Sequence, residues 1–102
     1  MKDVLASLHD ATVVRVSLDA KSGVCRVDIR RSPSKGGDIV LRVDEVELLT
    51  YPRQSPWGRS SSINDVRLSY PGAGVRVELE LQSGDTISID GSECSVASER
   101  IG

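Results

Sequence analysis

Strict alternation of apolar and charged residues over Val75–Leu81 is the feature that most constrains the fold of this chain. Successive side chains of a strand point to opposite faces, so this segment is predicted to be a half-buried β-strand. The same period of two recurs along most of the 102 residues. The sequence therefore predicts one all-β domain, an antiparallel β-sandwich or partly open barrel of about seven strands. At most one short N-terminal helix is expected, over Lys2–Leu8.

Two runs, Thr12–Leu18 and Val24–Arg30, predict a first hairpin with a loop at residues 20–23. Matching their apolar faces also places Arg15 opposite Asp28, a favourable cross-strand pair. The loop then provides Gly23 for a site of positive φ. The expected inner pairs are Val14–Ile29, Val16–Val27 and Leu18–Cys25.

A second hairpin is predicted from Val75–Leu81 and Thr86–Asp90, with Gly84 in the left-handed position of a three-residue loop. Its apolar register brings Arg76 opposite Asp90. Both hairpins contain Ser-Gly in the turn, which suggests an internal duplication. Val66, Leu68 and Tyr70 predict the strand that precedes this hairpin, and Cys94 with Val96 predict a last strand.

The segment between the hairpins alternates in phase from Ile39 to Val43 and then slips by one residue before Val46 and Leu48. A β-bulge or a short break at Asp44-Glu45 explains the slip. The strand is expected to resume over Glu45–Thr50.

Composition excludes several classes of function. The net charge is −2 and the acidic residues are interleaved with the basic ones, so nucleic acid is not an expected partner. No apolar run is long enough to span a membrane and the N-terminus lacks a signal-peptide pattern, so we expect a soluble, cytoplasmic protein. Cys25 and Cys94 form no metal-binding pattern. We expect no cofactor, no metal and free thiols, with Cys25 buried as a small apolar side chain.

The longest stretch without period runs from Tyr51 to Ser62, where two prolines oppose ladder pairing. Trp and Arg are enriched at interface hot spots. The stretch is therefore a candidate surface for contact with a partner protein. The alternative is structural, with Trp57 closing an open end of the sheets. The candidate residues are Arg53, Trp57, Arg59 and Ser60.

A second candidate site is centred on His9, the one histidine, with Asp10 beside it and Tyr51 or Tyr70 nearby. These residues suit a small-ligand site or an enzyme, although no nucleophile motif accompanies them. Asp10 is also suited to ending the first helical turn. The acidic residues Asp44, Glu45 and Glu47 are interpreted as a solvated edge, since they lack the spacing of a known metal loop.

Two segments carry a resemblance. Leu8-His9-Asp10-Ala11, leading into Val13–Val16, resembles the opening of small bacterial β-domains, some of them polymorphic-toxin immunity proteins. The run Pro56–Ile63 is similar to a loop in proteins of that kind. The resemblance covers about a sixth of the chain. It implies a stand-alone domain that binds another protein and carries no catalytic residues.

Three hypotheses follow. The first is a non-enzymatic protein-binding module, immunity-like, that uses a sheet face and the Arg53–Ser62 loop. The second is a ligand binder or enzyme at His9. The third is a homo-oligomer, such as a dimer paired through an edge strand over Val66–Tyr70.

Overall fold

The computed structural model describes residues 2–53 and 60–101. They form two four-stranded sheets in which every pair of neighbouring strands is antiparallel, and neither sheet closes into a barrel. The predicted β-sandwich is thereby confirmed. Its elements are α1 (Lys2–Ala6), β1 (Thr12–Asp19), β2 (Val24–Arg30), β3 (Ile39–Asp44), β4 (Leu48–Thr50), β5 (Ile63–Ser69), β6 (Val75–Leu81), β7 (Thr86–Gly91) and β8 (Glu93–Ser98).

The first sheet has the order β1-β2-β3-β8 and the second has the order β4-β7-β6-β5. Eight strands occur among the described residues instead of about seven, because the run from Asp38 to Thr50 forms two strands in different sheets. The phase slip is a break at which the chain crosses between sheets, and the bulge alternative was wrong. Glu45 turns the chain there with a φ of +48°.

The second hairpin has the predicted register. Leu79 lies opposite Ile87, and Arg76 lies opposite Asp90. Gly84 has a φ of +100° and its N–H donates to the carbonyl of Leu81 at 2.9 Å, which closes the turn. Along β6 the apolar side chains are buried while the charged ones between them are half-buried, as the alternation requires.

The first hairpin differs from the prediction at the start of β1 and in two side chains. Leu18, expected on the inner face, is 46% exposed near the end of this edge strand, and Asp28 pairs with Arg26 of its own strand and not with Arg15. Val16 lies opposite Val27 and Arg15 opposite Asp28 as expected, but Ile29 faces Val13 and not Val14. A bulge at Val14 accounts for the difference, and this side chain is 40% exposed. Both residues are valine, so the apolar pattern does not distinguish which of them faces inward.

Buried aliphatic side chains from both sheets make the core of the described residues. Cys25 is fully buried, as expected. Val43 of β3 lies between Cys25 on β2 and Cys94 on β8, so the two cysteines are two strands apart. That spacing is about 9–10 Å, too far for a disulfide. The largest fully buried side chains are Leu8, Ile29, Ile39, Leu41, Ile63, Leu79, Ile87 and Ile89.

The two halves of the chain have equivalent topology. Strands β1-β2-β3 and β5-β6-β7 each form a meander, and the strand after each meander joins the other half's sheet. Bulges lie at equivalent places near the start of β1 and β5, and Thr12 pairs with Ser62 between them. This equivalence matches β1–β2 with β5–β6. The fold is therefore duplicated, but the two Ser-Gly hairpins are not the matching parts.

Candidate functional site

A cleft of about 200 Å³ opens beside the bulge of β1. Its lining comes from the start of β1, the end of β6, the turn between β6 and β7, and the residues that follow β4 and precede β5. The lining residues are Val13, Val14, Tyr51, Arg53, Ser60, Ser61, Leu81 and Asp85. We call this surface the Tyr51 cleft.

Backbone contacts fix the walls of the Tyr51 cleft. The N–H of Val13 donates to the carbonyl of Ser61 at 2.9 Å, which ties β1 to the segment before β5. Asp85 is held by the turn, since its carbonyl accepts from the N–H of Leu81 at 2.8 Å and its carboxylate accepts from the Ser83 hydroxyl at 3.2 Å. One side of the cleft is therefore held by strands β1 and β6 and a tight turn, and the other side is formed by non-strand residues, of which Ser61 is tied to β1.

The rim of the cleft combines apolar and charged groups. Val14 is 40% exposed and Tyr51 is 36% exposed, so both present apolar surface to solvent. Arg53 and Asp85 provide charges of opposite sign among the lining residues. Exposed apolar side chains beside Arg and Tyr are typical of protein interfaces.

Two of the four predicted partner-contact residues, Arg53 and Ser60, line this cleft. Trp57 and Arg59 lie outside the described residues. Tyr51 joins the cleft although the sequence grouped it with His9. Tyr51 is also the first residue of the stretch without period, which was the local signal for this position. The convergence of that stretch on β1 is long-range and had no signal in the sequence.

His9 lies in a second groove, of about 450 Å³, between α1 and β5. Its Nδ1 donates to the carbonyl of Asn64 at 2.8 Å, and its Nε2 lies 3.6 Å from the Asp10 carboxylate. Asp10 has a φ of +69° and accepts from the Gln82 amide at 2.6 Å, so it ends the N-terminal turn. Both side chains are more than half exposed.

The second candidate site is dispersed. His9 and Tyr51 line different cavities, and Tyr70, which is 69% exposed, lines neither. The described residues that line the His9 groove carry no hydroxyl or thiol. The groove does not assemble the arrangement of nucleophile, base and orienting acid that nucleophilic catalysis requires.

The acidic residues at the sheet crossing contact protein groups. Asp44 accepts from Arg42 Nε at 2.7 Å, and Glu45 accepts from the Ser92 hydroxyl at 3.3 Å. Within residues 2–53 and 60–101, no three His, Cys, Asp or Glu side chains are grouped closely enough to hold a metal ion.

Ion pairs cover the outer faces of the sheets, as the interleaved charges predicted. Arg76 donates to both carboxylate oxygens of Asp90, at 2.7 and 3.0 Å. These hydrogen bonds lower the pKa of Asp90 and raise the pKa of Arg76. In the first sheet, Arg26 pairs with both Glu99 and Asp28. Hydrogen bonding to these two carboxylates raises the pKa of Arg26.

In the described part of the chain, no helix has the length and apolar character needed to cross a bilayer. No family model matches the chain, and neither does any curated protein. The chain is similar in structure to an uncharacterized protein from Neisseria gonorrhoeae, with a TM-score of 0.66 and 8% sequence identity. The similarity covers 89% of this chain and 93% of the other. At this identity it establishes a shared fold.

Proposed function

We propose that this chain is a non-enzymatic protein-binding module and that the Tyr51 cleft receives a side chain of its partner. The observation that carries the proposal is the convergence of Tyr51, Arg53 and exposed Val14 on one cleft, beside strands β1 and β6. Tyr and Arg side chains of this kind are where binding energy concentrates in protein interfaces.

The size of the cleft favours a protein partner over a small ligand. Pockets for drug-sized molecules usually enclose about 300–1,000 Å³. The Tyr51 cleft encloses about 200 Å³, which suits one side chain. Docking one anchor there would also bring the partner against Val14.

The test is photo-crosslinking in the source cells. A photoreactive residue replaces Val14 on the rim, and a matched variant carries it at Tyr70, which is exposed but lies outside the cleft. We expect a discrete protein adduct from position 14 and none from position 70. Arg53→Ala in the position-14 variant should reduce the adduct about thirtyfold, as a hot-spot loss of about 2 kcal/mol does.

Adducts of equal yield from both positions would contradict the proposal, as would a position-14 adduct that Arg53→Ala leaves unchanged. Circular dichroism of each variant confirms that the fold is retained. The combined substitution of Trp57→Ala and Arg59→Ala separates contact from structure. Lost binding with an intact fold supports a contact role, whereas unfolding supports the role of Trp57 as a plug. The immunity-like partner stays a prediction.

A further inference from the structure

Among residues 2–53 and 60–101, no strand pairs with the outer edge of β8, which ends the first sheet. All six of its residues pair with β3 without a bulge. The N–H of Glu99 donates to the carbonyl of Asp38, so residue 99 faces β3. In an antiparallel ladder the backbone groups of successive residues face opposite sides. The N–H and C=O groups of Cys94, Val96 and Ser98 therefore point away from β3, and no described residue hydrogen-bonds to them.

Each of the other three edges carries a feature that opposes pairing. Strand β4 has three residues. Strand β1 is bulged at Val14. On β5 the N–H of Val66 donates to the Asp65 carboxylate at 2.9 Å, and the carbonyl of Asn64 accepts from His9. Short strands, bulges and charged groups are the usual protection of sheet edges. These contacts also oppose the dimer expected through Val66–Tyr70, which stays a prediction.

The side chains of β8 leave room for a further strand. Cys94 and Val96 pack against the core from the inner face but are only partly buried. A strand added about 4.8 Å beyond β8 would point every second side chain to the inner face, and these side chains would cover Cys94 and Val96. After β8 the chain turns toward Asp38, whose carboxylate accepts from the N–H of Ile101, so its last described residue contacts the β3 side.

The charges of β8 disfavour a second copy as the added strand. If two copies of β8 paired antiparallel with Val96 opposite Val96, the outward backbone groups of Cys94, Val96 and Ser98 would all be hydrogen-bonded. The same register would place Glu93 of each copy opposite Glu99 of the other. Like charges directly opposite each other destabilise a sheet. Arg26 pairs with Glu99 but is shared with Asp28, and Glu93 is exposed and forms no ion pair with any described residue. A strand with a basic residue opposite Glu93 complements this edge.

We infer that β8 binds an extended segment of another protein by strand addition, with apolar residues at alternate positions and Lys or Arg opposite Glu93. Main-chain hydrogen bonds provide affinity in this mode, and the alternate side chains provide specificity. The inference rests on the proposed protein-binding function but uses a different surface from the Tyr51 cleft.

The test uses a pool of nine-residue peptides in which Val, Ile or Ala alternates with Ser, Thr or Lys. Amide exchange of the full chain is followed by NMR. We expect the amides of Cys94, Val96 and Ser98 to be protected at least tenfold by the pool. A matched pool with Glu in place of Lys should bind about threefold to fivefold more weakly, the effect of one cross-strand ion pair.

Peptide backbone methylation provides a control that leaves the protein unchanged. Methylation of the amide nitrogens that face β8 should abolish protection, and methylation of the alternate ones should not. Val96→Pro should also abolish protection, because it removes one of the outward N–H donors. The fold should survive this change, since an edge strand tolerates proline where the N–H faces outward. Glu93→Lys should reverse the preference between pools, whereas Glu78→Lys, on the other sheet, should not.

Three results would overturn the inference: no protection by the Lys pool, loss of protection on methylation of either set, or protection of the three amides by higher protein concentration alone. The last would establish self-pairing. Arg53→Ala separates this inference from the proposed function, because it should reduce the cleft adduct and leave peptide protection intact.

Discussion

Substitution of Gly91 by alanine tests the crossing at which the chain passes from β7 to β8. A Cβ at this residue would lie 2.5 Å from the Asp44 carbonyl oxygen and 2.5 Å from Val43 Cγ1. The carbonyl is not free to move, because it accepts from the N–H of Ser92 at 2.8 Å. Relief of the clash therefore requires loss of that hydrogen bond or a shift of β3.

The magnitude follows from these two costs. Overpacking a well-packed site costs about 1–3 kcal/mol, and a lost hydrogen bond adds about 1 kcal/mol. We expect Gly91→Ala to lower the free energy of unfolding by about 2–4 kcal/mol, out of a total of about 5–15 kcal/mol. The corresponding fall in Tm is about 10–20 °C.

The assay is equilibrium unfolding in urea, with the midpoint and the slope fitted separately. Gly84→Ala is the matched control, because its Cβ would meet nothing within 4 Å and only its φ of +100° opposes alanine. We expect that variant to lose about 1–2 kcal/mol. A Gly91→Ala protein within 0.5 kcal/mol of wild type, or one less affected than the control, would refute the steric argument.

Two further predictions concern pH. Burial, with a contribution from the Asp44 charge, raises the pKa of Cys94 to about 11, so the native state keeps its proton while the unfolded chain loses it near 9.0. The Cys94 contribution should lower stability by about 1–2 kcal/mol as pH rises from 9 to 11. Cys94→Ala should remove that part of the fall in urea unfolding and leave the part due to Cys25, whose pKa is also raised by burial. In acid, stability should instead rise with pH, because Arg76 lowers the pKa of Asp90 below its ordinary 3.8. Its stabilisation is present above that pH and lost below it, so thermal unfolding of Asp90→Asn should depend less on pH in this range than that of the wild type.

The sequence predicted a strand register where the apolar residues of both paired strands had to face the same side of the sheet. Arg76 and Asp90 are paired because their neighbours Val77 and Ile89 must share the inner face. The bulge at Val14 was not predictable, because adjacent valines satisfy either register. The break at Asp44-Glu45 was visible as a phase slip, but period alone does not say that the next strand joins another sheet.

The Tyr51 cleft was predictable only in part. Arg53 and Ser60 were indicated by residue type and by the prolines that end the strand pattern. Tyr51 begins the same stretch without period, but its convergence with residues of β1 and β6 could not be predicted, because those strands are distant in sequence. The edge position of β8 could not be predicted for a related reason. Strand order decides which strand lies at an edge, and the sequence alone does not give that order.

The duplicated topology explains why the two proposed surfaces differ. Strands β4 and β8 are equivalent, since each follows a meander and joins the edge of the opposite sheet. β4 stops after three residues, and the chain that follows it lines the Tyr51 cleft. β8 continues for six residues and keeps a regular edge. The short β4 leaves only a short edge and is followed by chain that lines a cleft, whereas the longer β8 keeps a long edge. The two halves thus provide different kinds of binding surface at equivalent positions of one fold.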